Sequence, residues 1–384
     1  MKANIVVGIP TYREADTIAR SVTQIDRGLE RSYGAENCLI VNVDNQSDDG
    51  TKEVFLGTKT ACPKHYVSTG DNPRGKGKNL LRLFELGLEI EAQYVATLDA
   101  DVVTMTPEWP TNLLEPLMSR DADYTLPIYT RNRFEGSTTN HFAFPLMYGV
   151  YGAYLRQPIG GEFGISRKLM EYLVQQDIVE TTQQYGIDMF MTCHAVVGGF
   201  TCQEVFLGRK LHKPSFPKIA PMFAQIATTA LRVTHGYRAK LPHLVSTNGV
   251  TETEHGGIDP EQKPSSPTAI AELLLRARQD FAQLGNEQLL GDTYSETVEV
   301  MKGDEPEISA QLWARFLAIC VRRVLREECT ADQLTQMVKV VTPVFLCRAA
   351  TLWRKAGSIE PAAVEWEIRN QAELFRQEID AKKD

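Results

Sequence analysis

From residue 4 to about residue 110 the chain alternates short apolar runs with stretches of helical spacing. The apolar runs are "NIVVGIP", "NCLIVNVDN", "KHYVST" and "YVATLDAD". Between them lie "READTIARSVTQIDRGLE", "DDGTKEVFLGTKTA" and "GKNLLRLFELGLEIEA". Strands separated by helices imply an α/β fold, a mostly parallel sheet flanked by helices. In such sheets ligands gather beyond the carboxyl ends of the strands. Three polar groups stand at those ends: Pro10 to Glu14, Asp44 to Asp49, and Asp99 to Asp101.

Residues 111 to 215 are mixed and glycine-dotted. After about residue 218 the pattern turns helical, with five long amphipathic stretches beginning "APMFAQ", "TAIAEL", "ISAQLW", "TADQLT" and "EPAAVE". "SPTAIAE" offers Ser266 as an N-cap with Pro267 at the first helical position. The expected organisation is a catalytic domain over 1–217 and a helical domain over 218–384. The helical faces are expected to pack on the catalytic domain and to support a homodimer.

The formal net charge is −8, which argues against a nucleic acid as the main partner. The N-terminal apolar run meets Pro10 at once, as a first strand does and a signal peptide does not. No run approaches the ~18 apolar residues of a membrane span. The seven cysteines are scattered without a CxxC pair, so reduced thiols and a cytoplasmic setting are expected.

Asp99 and Asp101 follow a buried strand with one residue between them. On an extended chain they point the same way. Two hard oxygen ligands at one spot suit Mg²⁺ or Mn²⁺ shared with a phosphorylated substrate. "NPRGKGKNLL" brings Arg74, Lys76 and Lys78 to a loop that opens a helix. A helix N-terminus with lysines suits a phosphate, although alone the loop reads equally as a charged surface turn. It is neither a Walker A nor a GxGxxG sequence. In "VDNQSDDGT", Asp44 ends a strand and Ser47 is a natural helix N-cap. "RQPIGGEFGIS" carries Gly160 and Gly161, which permit close backbone approach to a substrate, and then Glu162. Asp188 in "YGIDMFM" is a candidate base or substrate-binding carboxylate, and His212 stands among basic residues in "GRKLHKP".

Taken in order, "IPTYREADTI", "VNVDNQSDDGT", "RGKGKNLLRLFE" and "LDADV" resemble the nucleotide-sugar-binding half of GT-A glycosyltransferases, in the broad family-2-like group. "DADVVTMTPEW", "QPIGGE", "YGID" and "GRKLHKP" are similar to the mannosylglycerate synthase and glucosyl-3-phosphoglycerate synthase branch. The resemblance spans about residues 4 to 215. It implies a GT-A nucleotide-sugar-binding fold with a C-terminal helical region. It implies that Pro10, Thr11, Tyr12, Arg13, Glu14 and Asp44 hold base and ribose, and that Lys76 lies near the diphosphate. Asp101 and His212 become metal ligands, with Asp99 facing the ribose or the metal through water. Ile159, Gly160, Gly161, Glu162 and Asp188 face the donor sugar. Arg133, Thr138 and Thr139 become acceptor candidates, with Arg131 competing for the role of Arg133. Catalysis falls to Asp188 and Lys76.

The expected activity is a metal-dependent, retaining hexosyltransferase. Its donor would be GDP-mannose or UDP-glucose, and its acceptor a small acid such as glycerate or 3-phosphoglycerate. Two other readings stay open: a sugar nucleotidyltransferase, which shares the sheet, basic loop and carboxylates, and a non-catalytic nucleotide-sugar-binding protein.

Overall fold

A computed structural model of the protein describes residues 3–70, 75–213, 218–243, 258–259, 266–284 and 291–381. It forms two compact units. The first comprises Met1–Tyr129, Ile159–Pro214 and Thr247–Gly256; the second comprises Thr130–Pro158, Ser215–Ser246 and Gly257–Asp384. The second unit thus takes Thr130–Pro158 from within the N-terminal half.

The first unit is built on β1 (Ile5–Thr11), β2 (Cys38–Asp44), β3 (Lys64–Ser68), β4 (Tyr94–Thr97), β6 (Phe163–Ser166), β7 (Cys202–Arg209) and most of β5 (Tyr124–Asn132), whose residues from Thr130 on are assigned to the second unit. Their order is β3-β2-β1-β4-β6-β5-β7. The alternating first half produces the parallel part, with Ile5 opposite Cys38 and Thr11 opposite Asp44, and β4 parallel to β1. β6 runs antiparallel to both β4 and β5. The mixed segment hid these later strands, because β6 is only four residues long and β5 contains Pro127, a residue that lowers a strand reading.

Helices α1 (Ile18–Tyr33), α2 (Thr51–Gly57), α3 (Lys76–Glu89) and α4 (Glu108–Met118) connect the early strands, and α6 (Arg167–Leu173) and α7 (Ile187–Val197) the later ones. Ile18, Val22, Ile25 and Leu29 recur at helical spacing on α1 and bury completely beside Ile5, Val7 and Ile9 of β1. Burying each such side chain contributes roughly 1.5–3 kcal/mol. Two local expectations are corrected. Ser47 does not cap α2, which starts at Thr51 after Gly50; the Asp49 carboxylate accepts from Thr51 N instead. β4 also ends at Thr97, so Asp99 and Asp101 sit in a turn and not on an extended strand.

The second unit contains α5 (Phe144–Val150), α8 (Ile219–Gly236), α9 (Pro267–Ala282), α10 (Tyr294–Lys302), α11 (Ala310–Val324), α12 (Ala331–Ala356) and α13 (Pro361–Asp380). All five expected tail helices form, and short α10 is additional. Ser266 accepts from Ala269 N, with Pro267 opening α9. Thr330 and Gln333 form a capping box on α12. Phe223 stacks on Phe345 at 3.8 Å. Arg348, fully buried, bonds Gln371 and Glu367. Among the described residues no helix is long and apolar enough to cross a membrane. The seven cysteines are unbridged, and all but Cys329 are buried.

Candidate active site at the strand ends of the first unit

The ends of β1 and β2 build one rim. Asp44 is fully buried and its carboxylate is saturated by the chain. Oδ1 accepts from Thr11 Oγ1 at 2.8 Å and Ser47 Oγ at 2.6 Å. Oδ2 accepts from Ser47 N at 2.8 Å and Tyr66 Oη at 2.9 Å. Arg13 (φ 59°) and Gln46 (φ 57°) occupy the left-handed region, a strain of order 1–3 kcal/mol each that persists only where the surroundings over-determine it. Here Arg13 N donates to Ser47 Oγ, and its guanidinium grips both oxygens of Asp48. Tyr12 is 38% exposed, with the Arg13 guanidinium 5.3 Å from its ring centre. Pro10 is half-buried. Glu14 accepts from Thr17 Oγ1 and Lys213 Nζ, while burial raises its carboxyl above the usual range.

The glycine-lysine-glycine turn is more closed than its sequence suggests. Gly77 lies under residues 182–184, where a Cβ would fall 1.8 Å from the Thr182 carbonyl oxygen. Its N–H already donates to Gln184 O at 2.9 Å. At least that amide of the α3 N-terminus is therefore not open to a phosphate, and the glycine serves packing. What the turn presents is Lys76. Arg74 lies outside the described residues.

Lys76 Nζ pairs with Asp99 Oδ1 at 2.6 Å. Burial alone would lower this ammonium, but the facing Asp99, Asp188 and Glu162 raise it above its ordinary value. Asp99 is held below the carboxylate range, since Lys76 and Lys210 outweigh its burial. The Gly160–Gly161 turn closes over this pair. A Cβ on Gly161 (φ 94°) would meet Asp99 Oδ2 at 2.1 Å, so only glycine fits. Thr97 Oγ1 donates to Gly161 O at 3.1 Å. Glu162 is fully buried; its Oε2 accepts from Tyr129 Oη and Lys210 Nζ, while Oε1 has no partner. Asp188, in the first turn of α7, accepts from the Gly160 backbone, and its buried Oδ1 also lacks a partner. Burial raises both Glu162 and Asp188 above the usual carboxylate range. Ile159, 8% exposed, leads into the turn.

Residues 209–213 are laced to the turn after β4. Thr104 Oγ1 donates to Arg209 O at 2.6 Å, Leu211 N donates to Thr104 Oγ1 at 3.0 Å, and Val103 N donates to Leu211 O at 2.9 Å. Lys213 N donates to Asp101 Oδ2 at 3.2 Å. This brings His212 within electrostatic reach of Asp99. His212 Nδ1 faces the Lys213 carbonyl at 2.7 Å, which places the proton on Nδ1 and the lone pair of the neutral ring on Nε2. Asp101 is raised by burial and by Asp99, a cost that a cation would relieve. Among the described residues no group of three or more His, Cys, Asp or Glu side chains could hold a metal by itself. One hard oxygen donor and one imidazole nevertheless fit a divalent ion whose other ligands come from a diphosphate.

Sequence reasoning did not single out Lys210 or Tyr129. The signal for Lys210 was its place among the basic residues of "GRKLHKP", two positions before His212. Tyr129, inside "LPIYT", gave none. Arg133, Thr138 and Thr139 belong to the second unit. There Arg133 Nη1 donates to Ile359 O at 3.3 Å, and Thr138 and Thr139 are 8% and 2% exposed. The Arg131 side chain lies outside the described residues.

The sheet order, with polar turns at the ends of β1, β2 and β4, defines a GT-A-type α/β fold. Solved structures share it. The glucosyl-3-phosphoglycerate synthase of Mycobacterium tuberculosis, in complex with Mn²⁺, UDP and glucosyl-3-phosphoglycerate, matches at TM-score 0.50 and 20% identity, over 60% of this chain and 80% of that one. A mycobacterial protein matches at TM-score 0.50 and 23% identity, over 60% and 74%. The same M. tuberculosis enzyme with Mn²⁺, UDP-glucose and phosphoglyceric acid matches at 0.49 and 20%, over 60% and 79%. No curated protein sequence matches the chain. Residues 6–171 match the model of the glycosyl transferase family 2. Over these residues the chain is similar to the family 2 glycosyltransferases.

Proposed function

We propose that the protein transfers a hexose, with retention, from a nucleoside diphosphate sugar to a small hydroxy acid, glycerate or 3-phosphoglycerate. The observation that carries this reading is the pair of buried carboxylate oxygens without partners, Glu162 Oε1 and Asp188 Oδ1, on either side of the Gly160–Gly161 turn. Buried acceptors need donors, and sugar hydroxyls supply them. UDP-glucose with 3-phosphoglycerate ranks first among the pairs, because the M. tuberculosis enzyme of the same fold was crystallised with UDP and glucosyl-3-phosphoglycerate.

In this reading the β1 and β2 rim holds base and ribose, with Tyr12 as the exposed ring. Lys76 offsets negative charge on the diphosphate. Asp101 and His212 would hold Mn²⁺ or Mg²⁺, whose chemistry is to offset the same charge. Asp188 and Glu162 orient the sugar. The acceptor hydroxyl attacks the anomeric carbon from the leaving-group side as the carbon–oxygen bond to the diphosphate breaks, and its proton passes to the departing phosphate oxygen.

A donor-by-acceptor grid tests the proposal: UDP-glucose and GDP-mannose, each with glycerate and 3-phosphoglycerate, with and without Mn²⁺ or Mg²⁺. Turnover releasing NDP is expected in one metal-containing cell. No turnover in any cell would sink the acceptor assignment, and pyrophosphate release from a nucleoside triphosphate would replace the activity by nucleotidyl transfer.

A further inference from the structure

Lys210 directly follows the last residue of β7, with a side chain only 10% exposed. Its ammonium donates to Glu162 Oε2 at 2.7 Å and to the Gly160 carbonyl oxygen, also at 2.7 Å. It stands 3.7 Å from Asp99 Oδ2 and 5.0 Å from the centre of the Tyr129 ring. A buried lysine that only neutralised a buried carboxylate would need Glu162 and nothing else. The bond to Gly160 is of another kind, because its acceptor is a neutral backbone oxygen in a turn that lacks side chains. The N–H of the same residue is held by Asp188, and the next carbonyl, of Gly161, by Thr97 Oγ1. Tyr129 Oη also donates to the Gly160 carbonyl oxygen, at the longer distance of 3.2 Å, so four side chains, from β4, β5, α7 and the position after β7, fix three neighbouring polar atoms of one short turn.

We propose that Lys210 is a positioning residue. Through the Gly160 carbonyl it sets the Gly160–Gly161 turn and so the sugar half of the donor site, while the nucleotide half is set independently by the β1 and β2 rim. This rests on the hexosyl-transfer reading above. It differs from a purely structural role in one measurable respect. A lysine that only compensates Glu162 becomes dispensable once Glu162 is neutral, whereas one that holds Gly160 does not.

The test is a double-mutant cycle on the full chain: wild type, Lys210→Met, Glu162→Gln, the double variant, and Lys210→Arg. For each, kcat and KM are measured with whichever of UDP-glucose and GDP-mannose the wild type uses. Affinities for that donor and for its free NDP are measured by calorimetry, with thermal unfolding as the folding control. Lys210→Met is expected to weaken the sugar nucleotide by about tenfold, as loss of a charge-assisted bond does, and the free NDP by less than about twofold. The same loss is expected in the Glu162→Gln background. Lys210→Arg, which keeps a donor for Gly160, is expected to recover most of it. If Lys210→Met alone fails to fold, the double variant, which leaves no unpaired buried charge, is compared with Glu162→Gln. A penalty that vanishes when Glu162 is neutral, or equal weakening of sugar nucleotide and free NDP, overturns the proposal. An active wild type with an unaffected Lys210→Met overturns this inference alone. A wild type that neither binds nor turns over any sugar nucleotide overturns the underlying function as well.

Discussion

Gly77 shows how a single hydrogen atom holds the site in place. Replacing a helical glycine by alanine ordinarily stabilises by about 0.5–1 kcal/mol. Here the new Cβ would sit 1.8 Å from the Thr182 carbonyl oxygen, and overpacking against backbone costs about 1–3 kcal/mol. The clash wins. Gly77→Ala is expected to lower stability by about 1–2 kcal/mol and to raise the donor KM, because Lys76 is the preceding residue; a urea midpoint at or above wild type would contradict this. Asp188 is the complementary case, a side chain whose removal should spare the fold. Asp188→Asn keeps the shape and the oxygen that faces the Gly160 backbone, but removes the charge. Turnover is expected to fall by about 10²-fold or more with NDP affinity within about threefold of wild type. Near-normal turnover would take Asp188 out of the chemistry.

At the scale of elements, the sequence declared those whose signal is local and long. Three helices and four strands of the first half follow from alternation. The five tail helices follow from 3.6-residue spacing, and Ser266 with Pro267 marked the start of one correctly. β5 and β6 stayed hidden because Pro127 interrupts the first and the second is only four residues long, and β5, β6 and β7 are placed by pairing with strands elsewhere in the chain. The candidate site divides the same way. Lys76, Asp99, Asp101, Gly160, Gly161, Glu162, Asp188 and His212 were legible as motif members. The saturation of Asp44 by Thr11, Ser47 and Tyr66, and the joining of Lys210 and Tyr129 to Glu162, were not, since such contacts span tens of residues. Glu365 of α13 gives an element-scale prediction. Arg156 binds it through two hydrogen bonds. Burial alone would raise this carboxyl, but Arg156, with Arg369 beside it, brings it down to about 2 from 4.5. The folded value lies below the unfolded one, so the unfolded chain binds more protons between those pH values. The resulting stability is complete above about pH 4.5 and is lost as pH falls toward 2, on the order of 3 kcal/mol in all for a side chain only partly exposed. Glu365→Gln is expected to be less stable than wild type at pH 6 and to lose this part of the acid dependence. Parallel acid-dependence curves for the two proteins would exclude the pair as its source.

At the scale of the molecule, charge decides what the first unit can accept. Asp99, Asp101, Glu162 and Asp188 face two lysine ammonium groups, Lys76 and Lys210, among the described residues. Around it the protein carries a formal net charge of −8. A nucleoside diphosphate brings further negative charge to this place. Its binding should therefore require a divalent cation, with Asp101 and His212 as the protein's share of the ligands. The segment Thr130–Pro158 joins the helical unit, so each unit has a core of its own, and ligand binding should act first on the unit that holds the cluster. A ligand at 100 times its Kd stabilises by about 2.7 kcal/mol, which for a unit of this size raises its melting temperature by roughly 5–10 °C. UDP or GDP with Mn²⁺ is expected to produce such a shift, and hydrogen exchange should slow in peptides covering Lys76, Asp101 and Gly160. In excess EDTA the shift should disappear. Asp101→Asn should lose it even with Mn²⁺ present, because the amide cannot supply the missing charge. A shift of full size in EDTA would separate nucleotide binding from the metal and leave Lys76 as the group that holds the diphosphate.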